Sequence, residues 1–213
     1  MFTGLIKAVC PVKSASPRGG GLRLAVDLGC LGRDVKVGDS IAINGVCLTV
    51  SQATGTAATF DVSGETLGKS NLGKLTASSV VNVEAAMKPS DRFGGHFVLG
   101  HVDGIAKIKS IMKKGDFWDI SFSTPADLLD QMVPKGSVAV DGISLTIASM
   151  DDSSFAVAII PQTWQNTNLH VRRPADCVNI ETDIIVKAVQ KQLGNARPAK
   201  DGLTVEKMRD IGF

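Results

Sequence analysis

Tyrosine is absent from the chain, and two tryptophans and eight phenylalanines bring aromatics to only 5% of 213 residues. Single-stranded nucleic acid is held by stacking bases on aromatic side chains in a basic groove. Here 23 basic residues meet 21 acidic ones for a formal net charge of +2, so both halves of that apparatus are missing. The same balance gives no electrostatic pull toward an anionic membrane. No apolar run approaches bilayer-spanning length; FAVAII at 155–160 suits a core strand. Cys10, Cys30, Cys47 and Cys177 are scattered without a CxxC pair, which excludes a disulfide-dense framework and fits reduced thiols in a cytoplasm. No closely spaced cysteine pair is present to complete a zinc-finger ligand set, so no metal is expected. The opening MFTGLIKAV lacks a basic leader, a long apolar centre and a cleavage site, and is expected to be mature sequence.

What is present is a repeat. Residues 44–50 read NGVCLTV and residues 141–147 read DGISLTI. Gly45 and Gly142, Leu48 and Leu145, and Thr49 and Thr146 all stand 97 positions apart. The same offset joins Ser40 to Ser137, Thr66 to Thr163, Asn71-Leu72 to Asn168-Leu169, and VNVE at 81–84 to VNIE at 178–181. Gly4 pairs better with Gly100, at an offset of 96. A constant offset over separate blocks means duplication. The apolar content of 44% and charged content of 21% suit a globular chain long enough for two cores.

Each unit reads as strand. Asn44-Gly45 and Asp141-Gly142 tolerate the positive φ of a type I′ hairpin. Beyond the turn, side chains alternate faces, so Cys47 and Thr49 share one face and Leu48 and Val50 the other. Ser144 and Thr146 repeat this opposite Leu145 and Ile147. Strands are predicted over 2–12, 22–28, 40–51, 57–63 and 79–86, then over 98–111, 117–123, 137–149, 154–160 and 177–183. Many short strands in each unit imply closed antiparallel barrels. Helical turns suit ETLGKS and PADLLDQM, the latter with Thr124 as N-cap and Pro125 at the first position. The boundaries expected are a first barrel at 1–87, a linker at 88–96, a second barrel at 97–187, and a helix and tail at 184–213. Ile184, Ile185, Ala188, Val189 and Gln192 recur at helical spacing up to Gly194-Asn195, giving an apolar face that needs covering.

Chemistry is sparser. GETLGKS, Gly64 to Ser70, has one residue too few between its glycines for a phosphate-binding loop, and no parallel βα unit surrounds it. His96 and His170 read as linker and loop residues; His101 opens the second unit in GHVDG. A lone strand histidine, serine or cysteine is usually structural, and no Ser-His-Asp order or GxSxG elbow points to a hydrolase. The informative feature is that Cys47 and Ser144 fill one slot in both units, each followed two positions later by Thr.

MFTGLI, NGVCLTV, FDVSGETL, NLG, GGHFVLGHV, KGSVAVDGISLTI, IPQTW and VNIE together resemble the riboflavin synthase family, enzymes with tandem lumazine-binding repeats, over the chain to about residue 187. The resemblance implies a mainly β fold of two tandem antiparallel Greek-key barrels related by duplication, plus a C-terminal helix. It implies dismutation of two 6,7-dimethyl-8-ribityllumazine molecules, one giving a four-carbon unit to the other, to yield riboflavin and 5-amino-6-ribitylaminouracil, the last step of riboflavin biosynthesis. No metal or redox cofactor is implied, because the substrates supply their own electron sink. The family's trimer, in which unlike barrels of neighbouring subunits face each other, implies a cytoplasmic homotrimer held partly by the C-terminal helix, and an association with lumazine synthase. Facing pockets turn an encounter of two like molecules into a positioned event.

Carried onto matching positions, the first pocket uses Gly4, Leu5, Ile6, Cys47, Leu48, Thr49, Asp61, Val62, Ser63, Gly64, Glu65 and Thr66. The second uses Gly100, His101, Val102, Lys135, Ser144, Leu145, Thr146, Ile160, Pro161, Gln162 and Thr163. Strand edges suit the pyrimidine-like edge of the ring, and Thr, Ser, Glu or Gln suit ribityl hydroxyls. The catalytic candidates are Cys47, His101, Ser144, Thr146 and Lys135: His101 with Ser144 and Thr146 for proton transfer, Cys47 or activated water as nucleophile. Gln162 stands where the first unit has Glu65, so the pockets are expected to be chemically unequal. The main rival is a non-catalytic lumazine- or flavin-binding protein of the same fold. A flavin-reductase barrel is excluded because its Arg-x-Tyr-Ser/Thr signature needs a tyrosine.

Overall fold

A computed structural model describes residues 1–195 and Arg209. In the first unit, β1 (Ala8–Arg18), β2 (Gly21–Asp27), β3 (Ser40–Ile43), β4 (Val46–Thr54), β5 (Ala57–Val62) and β6 (Val80–Ala85) close in the order β1-β2-β5-β4-β3-β6. In the second, β7 (Gly104–Lys114), β8 (Phe117–Ser123), β9 (Ser137–Val140), β10 (Ile143–Met150), β11 (Ser154–Ile159) and β12 (Cys177–Thr182) close as β10-β11-β8-β7-β12-β9. Every pairing is antiparallel. The hairpin strands β3, β4 and β5 with β2 beside β5 make the Greek key, and the second unit repeats it. Closure removes the exposed sheet edges that would otherwise invite pairing with other chains.

The duplication extends to irregularities. Register shifts fall between Val50 and Gln52 in one barrel and between Ile147 and Ser149 in the other. Asn44 and Gly45 have φ of 45° and 78°, and Asp141 and Gly142 have 45° and 80°, as the hairpin chemistry predicts. Alternation fills the barrels: Leu48, Val50 and Phe60 lie in one core, Leu145, Ile147 and Val157 in the other. Each such buried side chain contributes roughly 1.5–3 kcal/mol relative to exposure.

The barrels meet where the two hairpins touch. A Cβ on Gly45 would lie 2.6 Å from the Gly142 nitrogen, so only glycine allows the approach. Buried asparagines then join the halves: Asn82 Nδ2 donates to the Asp141 carbonyl at 2.9 Å, and Asn179 Nδ2 to the Asn44 carbonyl at 2.8 Å. Asn71 N and Asn168 N donate to the side-chain oxygens of Asn179 and Asn82, both at 2.7 Å. The repeated asparagines are thus the seam, with their polar groups satisfied across it.

Among the described residues helices are few: α1 (Gly64–Lys69), α2 (Ala126–Leu129), α3 (Pro161–Asn166) and α4 (Ile184–Asn195). Thr124 does not cap α2. Pro125 takes the cap position, and the Thr124 hydroxyl donates to the Phe122 carbonyl at 3.2 Å instead. Strand β1 begins at Ala8 and β7 at Gly104, later than the periodicity predicts. The residues before them have another use, described next. The expected tail beyond residue 195, apart from Arg209, lies outside the described residues.

Candidate functional site

Two carboxylates at the ends of equivalent strands hold the segment that opens each unit. Glu84, on β6, accepts from Thr3 N at 2.8 Å, Thr3 Oγ1 at 2.6 Å and Gly4 N at 3.0 Å. Glu181, on β12, accepts from Leu99 N at 2.7 Å and Gly100 N at 2.9 Å. Burial pushes the Glu181 pKa up, against the lowering effect of those two amides and of Lys187.

So held, each segment reaches across to the other barrel. The Gly100 carbonyl accepts from Cys47 N at 2.9 Å, and the Gly4 carbonyl accepts from Ser144 N at 2.8 Å. Both glycines are left-handed, at φ 80° and 76°. A Cβ would come 2.5 Å from the Cys47 Cβ in one case and 2.6 Å from the Ser144 Cβ in the other.

This corrects the pocket assignment. The repeat places Gly4, Leu5 and Ile6 with Cys47, and Gly100, His101 and Val102 with Ser144. The structure exchanges them, because the segments cross the seam before their barrels begin. The first pocket, about 490 Å3, is lined by Val46, Cys47, Glu65, Thr66, Lys69, Ser70 and Gly100 to Asp103. The second, about 230 Å3, is lined by Gly4, Leu5, Ile6, Ile143, Ser144, Gln162, Thr163, Asn166 and Thr167.

The exchange also separates the expected proton-transfer pair. His101 is exposed beside Cys47 and does not line the pocket of Ser144. The imidazole that meets Ser144 is His96, whose Nδ1 lies 2.7 Å from the Ser144 Oγ. His96 is buried, not a free linker residue, and burial pushes its pKa down, with the charge of Asp183 acting the other way. Adjacent Gly95, at φ 68°, leaves no room for a Cβ between the Thr3 carbonyl and Ser144. A histidine directly after two glycines was the signal available, but it falls in the stretch read as a linker between the repeats.

The remaining candidates do not line either cavity. Leu48, Leu145 and Val62 are buried in the cores. Asp61 faces outward, paired with Arg23 at 2.9 Å and Arg18 at 3.7 Å. Ser63 caps α1 by accepting from Thr66 N, and Gly64 opens that helix. Ile160 precedes α3 exposed, and Pro161 is its first residue. Thr49 and Thr146 are exposed on the strand faces of Cys47 and Ser144, opposite Ser40 and Ser137, without lining either pocket. Lys135 lines neither pocket. It holds a left-handed turn position, φ 66°, where the first unit has Gly38 at φ 94°.

The pockets differ more than Glu65 and Gln162 alone suggest. The first assembles a thiol, an imidazole, two carboxylates and an ammonium: Cys47, His101, Glu65, Asp103 and Lys69. Asp103 is held by Lys187 of α4 at 2.6 Å and by Thr182 N at 2.8 Å. The second offers hydroxyls and amides, with His96 behind Ser144. Among the described residues no group of three or more His, Cys, Asp or Glu suits a metal ion, and no helix is long and apolar enough to cross a membrane.

The sequence pattern of the Lumazine binding domain family matches residues 3–86 and again 99–183. Riboflavin synthase of Actinobacillus pleuropneumoniae is 38% identical over 216 aligned positions, covering 100% of both chains. Riboflavin synthase of Bacillus subtilis is 39% identical, again covering 100% of both. That of Schizosaccharomyces pombe is 39% identical over 90% of this chain and 93% of its own. Among solved structures, LumP complexed with riboflavin superposes with a TM-score of 0.80 at 22% identity, over 85% of this chain and 99% of that one. LumP complexed with 6,7-dimethyl-8-(1'-D-ribityl) lumazine gives 0.78.

Proposed function

The chain belongs to the riboflavin synthase family, with its two lumazine-binding domains in tandem, and we propose that it carries out that family's dismutation of two 6,7-dimethyl-8-ribityllumazine molecules. One molecule gives a four-carbon unit to the other, leaving riboflavin and 5-amino-6-ribitylaminouracil. The observation that carries this reading is the pair of open pockets at equivalent strands, one centred on Cys47 and the other on Ser144. Two like substrates need two like cradles, and a transfer between them needs the cradles to differ.

In this reading Glu65 and Thr66 in the first pocket, and Gln162 and Thr163 in the second, pair with ribityl hydroxyls. His101 carries the proton to or from the lumazine in the first pocket, where Cys47 or a water activated by His101 supplies the nucleophile. Ser144 serves the second molecule. The slot that holds Cys47 in one barrel and Ser144 in the other divides donor from acceptor.

The family's geometry further implies that the first pocket of one subunit faces the second pocket of its neighbour in a cytoplasmic homotrimer, with lumazine synthase as an associated partner. Supporting self-association, α4 leaves Ile185, Val189 and Leu193 exposed by 54%, 52% and 68%, one turn apart along a single face. The rival reading is a carrier that binds lumazine without converting it. The retention of Cys47 and His101 in one pocket and Ser144 in the other favours turnover. Purified protein incubated with 6,7-dimethyl-8-ribityllumazine alone should form one riboflavin per two lumazines consumed. Tight binding without riboflavin would establish the carrier.

A further inference from the structure

Ser144 occupies a singular position in the second pocket. Its amide donates to the Gly4 carbonyl at 2.8 Å, and its hydroxyl lies against the Nδ1 of His96 at 2.7 Å. Gly4 and Gly95 close in so tightly that a Cβ on either would press on the Ser144 side chain. The remaining open side faces the pocket, lined there by Gln162, Thr163 and Leu5.

The proton between Ser144 and His96 has two placements. If Ser144 donates to Nδ1, the ring proton must sit on Nε2, which is buried without a hydrogen-bond partner among the described residues. An orphaned buried N–H is rarer than an orphaned lone pair, because a donor has one direction in which to be satisfied. If Nδ1 carries the proton instead, it donates to the Ser144 oxygen and Nε2 keeps only a bare lone pair. Burial disfavours the doubly protonated ring, in keeping with the lowered pKa of His96. The Nδ1–H form is therefore the better satisfied, and it leaves the Ser144 hydroxyl proton free to point at the ligand.

We propose that His96 is a positioning residue that locks Ser144 as a hydrogen-bond donor toward an electron-rich ring atom of the lumazine in the second pocket. This rests on the riboflavin synthase reading and deepens it. Ser144 is then neither base nor nucleophile. It favours the anion left on the ring when the C7 methyl group gives its proton to hydroxide reaching it from the open side of the pocket, which leaves as water. A donor already oriented in a buried site stabilises developing charge without reorganising. The first pocket has no such arrangement among the described residues: His101 is exposed beside Cys47, and no buried imidazole is hydrogen-bonded to the Cys47 thiol. The second pocket is accordingly the one that holds the lumazine anion.

The test uses the full chain and 6,7-dimethyl-8-ribityllumazine, following the bound ligand's absorbance through the pH at which its C7 methyl ionises. His96→Phe keeps a ring of similar volume and removes the donor. It should raise the apparent pKa of one of two bound-lumazine phases by about one unit and lower kcat about tenfold, with KM little changed. His96→Asn keeps an N–H near the Nδ1 position and should recover most of both effects, whereas His96→Gln should not. Ser144→Ala should reproduce the spectral shift, and adding His96→Phe to it should shift nothing more. That last comparison stands even if a His96 single variant folds poorly. Equal damage from His96→Phe and His96→Asn, or an unmoved titration in Ser144→Ala, overturns the proposal. Parent protein that forms no riboflavin yet shows the same spectral shifts overturns the family reaction and leaves the Ser144 geometry standing.

Discussion

The amide of Ser144 donates to the carbonyl of Gly4 at 2.8 Å, although 140 positions of chain separate the two residues. The matching bond from Cys47 to Gly100 crosses the seam in the other direction. Each pocket is therefore a product of both repeats, and neither barrel finishes its own.

Substitutions at the pinning carboxylates should act at a distance on the opposite barrel. Glu84→Ala releases Thr3 and Gly4 and should weaken lumazine binding beside Ser144. Glu181→Ala releases Leu99 and Gly100 and should weaken binding beside Cys47. Each leaves buried amides unpaired, a cost of about 1–3 kcal/mol per group. Calorimetric titration with lumazine should show one of two sites lost in each variant, a different one in each.

His101→Gln and Ser144→Ala lie in different pockets and should retain ligand binding while losing turnover. The loss at His101 should be the larger, on the order of 10²–10⁴-fold, as expected for removing a proton carrier. Because the pockets share no side chain, the double variant should show the product of the single effects. Steady-state kinetics on the three proteins decides this. Parent-like kcat in both single variants would remove either residue from the mechanism.

The seam predicts an intolerance to charge. Asn168 Nδ2 lies 3.2 Å from the Asn44 side-chain oxygen and 3.0 Å from that of Asp141, whose charge is met by Arg172 at 2.5 Å. Asn44→Asp places a second carboxylate there with no second cation. Thermal unfolding should show a loss of about 3–5 kcal/mol, and an unchanged midpoint would contradict this account of the seam.

Acid should loosen the contact between His96 and Ser144. Burial, opposed by Asp183, lowers the His96 pKa from its ordinary 6.5. A group that binds its proton less readily when folded adds stability above the unfolded pKa, and that stability fades as pH falls below it. The parent should thus lose stability relative to His96→Asn between roughly pH 6.5 and the lower folded pKa. Denaturant titrations across that range should show the gap closing; a constant gap would place the imidazole elsewhere.

How much of this was legible in the sequence depends on the range of each interaction. The hairpins at Gly45 and Gly142 were readable because turn chemistry is local, and the barrel cores because alternation and duplication reinforce each other. The crossing of Gly4 and Gly100 was not readable. Repeat alignment pairs equivalent residues, Gly4 with Gly100, and says nothing about which barrel each one touches. His96 escaped because it lies in the stretch read as a linker between the two units, where the logic of duplication does not reach. Lys135 came only from the family resemblance, and its left-handed φ shows a turn where the first unit uses glycine.

Cys47 itself reports most directly on whether each pocket is built from both repeats. Its alkylation rate can be followed by peptide mass mapping, with and without 6,7-dimethyl-8-ribityllumazine. Glu181→Ala, in the second barrel, should abolish the ligand's protection of Cys47, while Glu84→Ala, in the same barrel as Cys47, should leave that protection intact. Loss of protection in Glu84→Ala with full protection in Glu181→Ala would mean that each barrel completes its own pocket, and the crossed construction would be wrong.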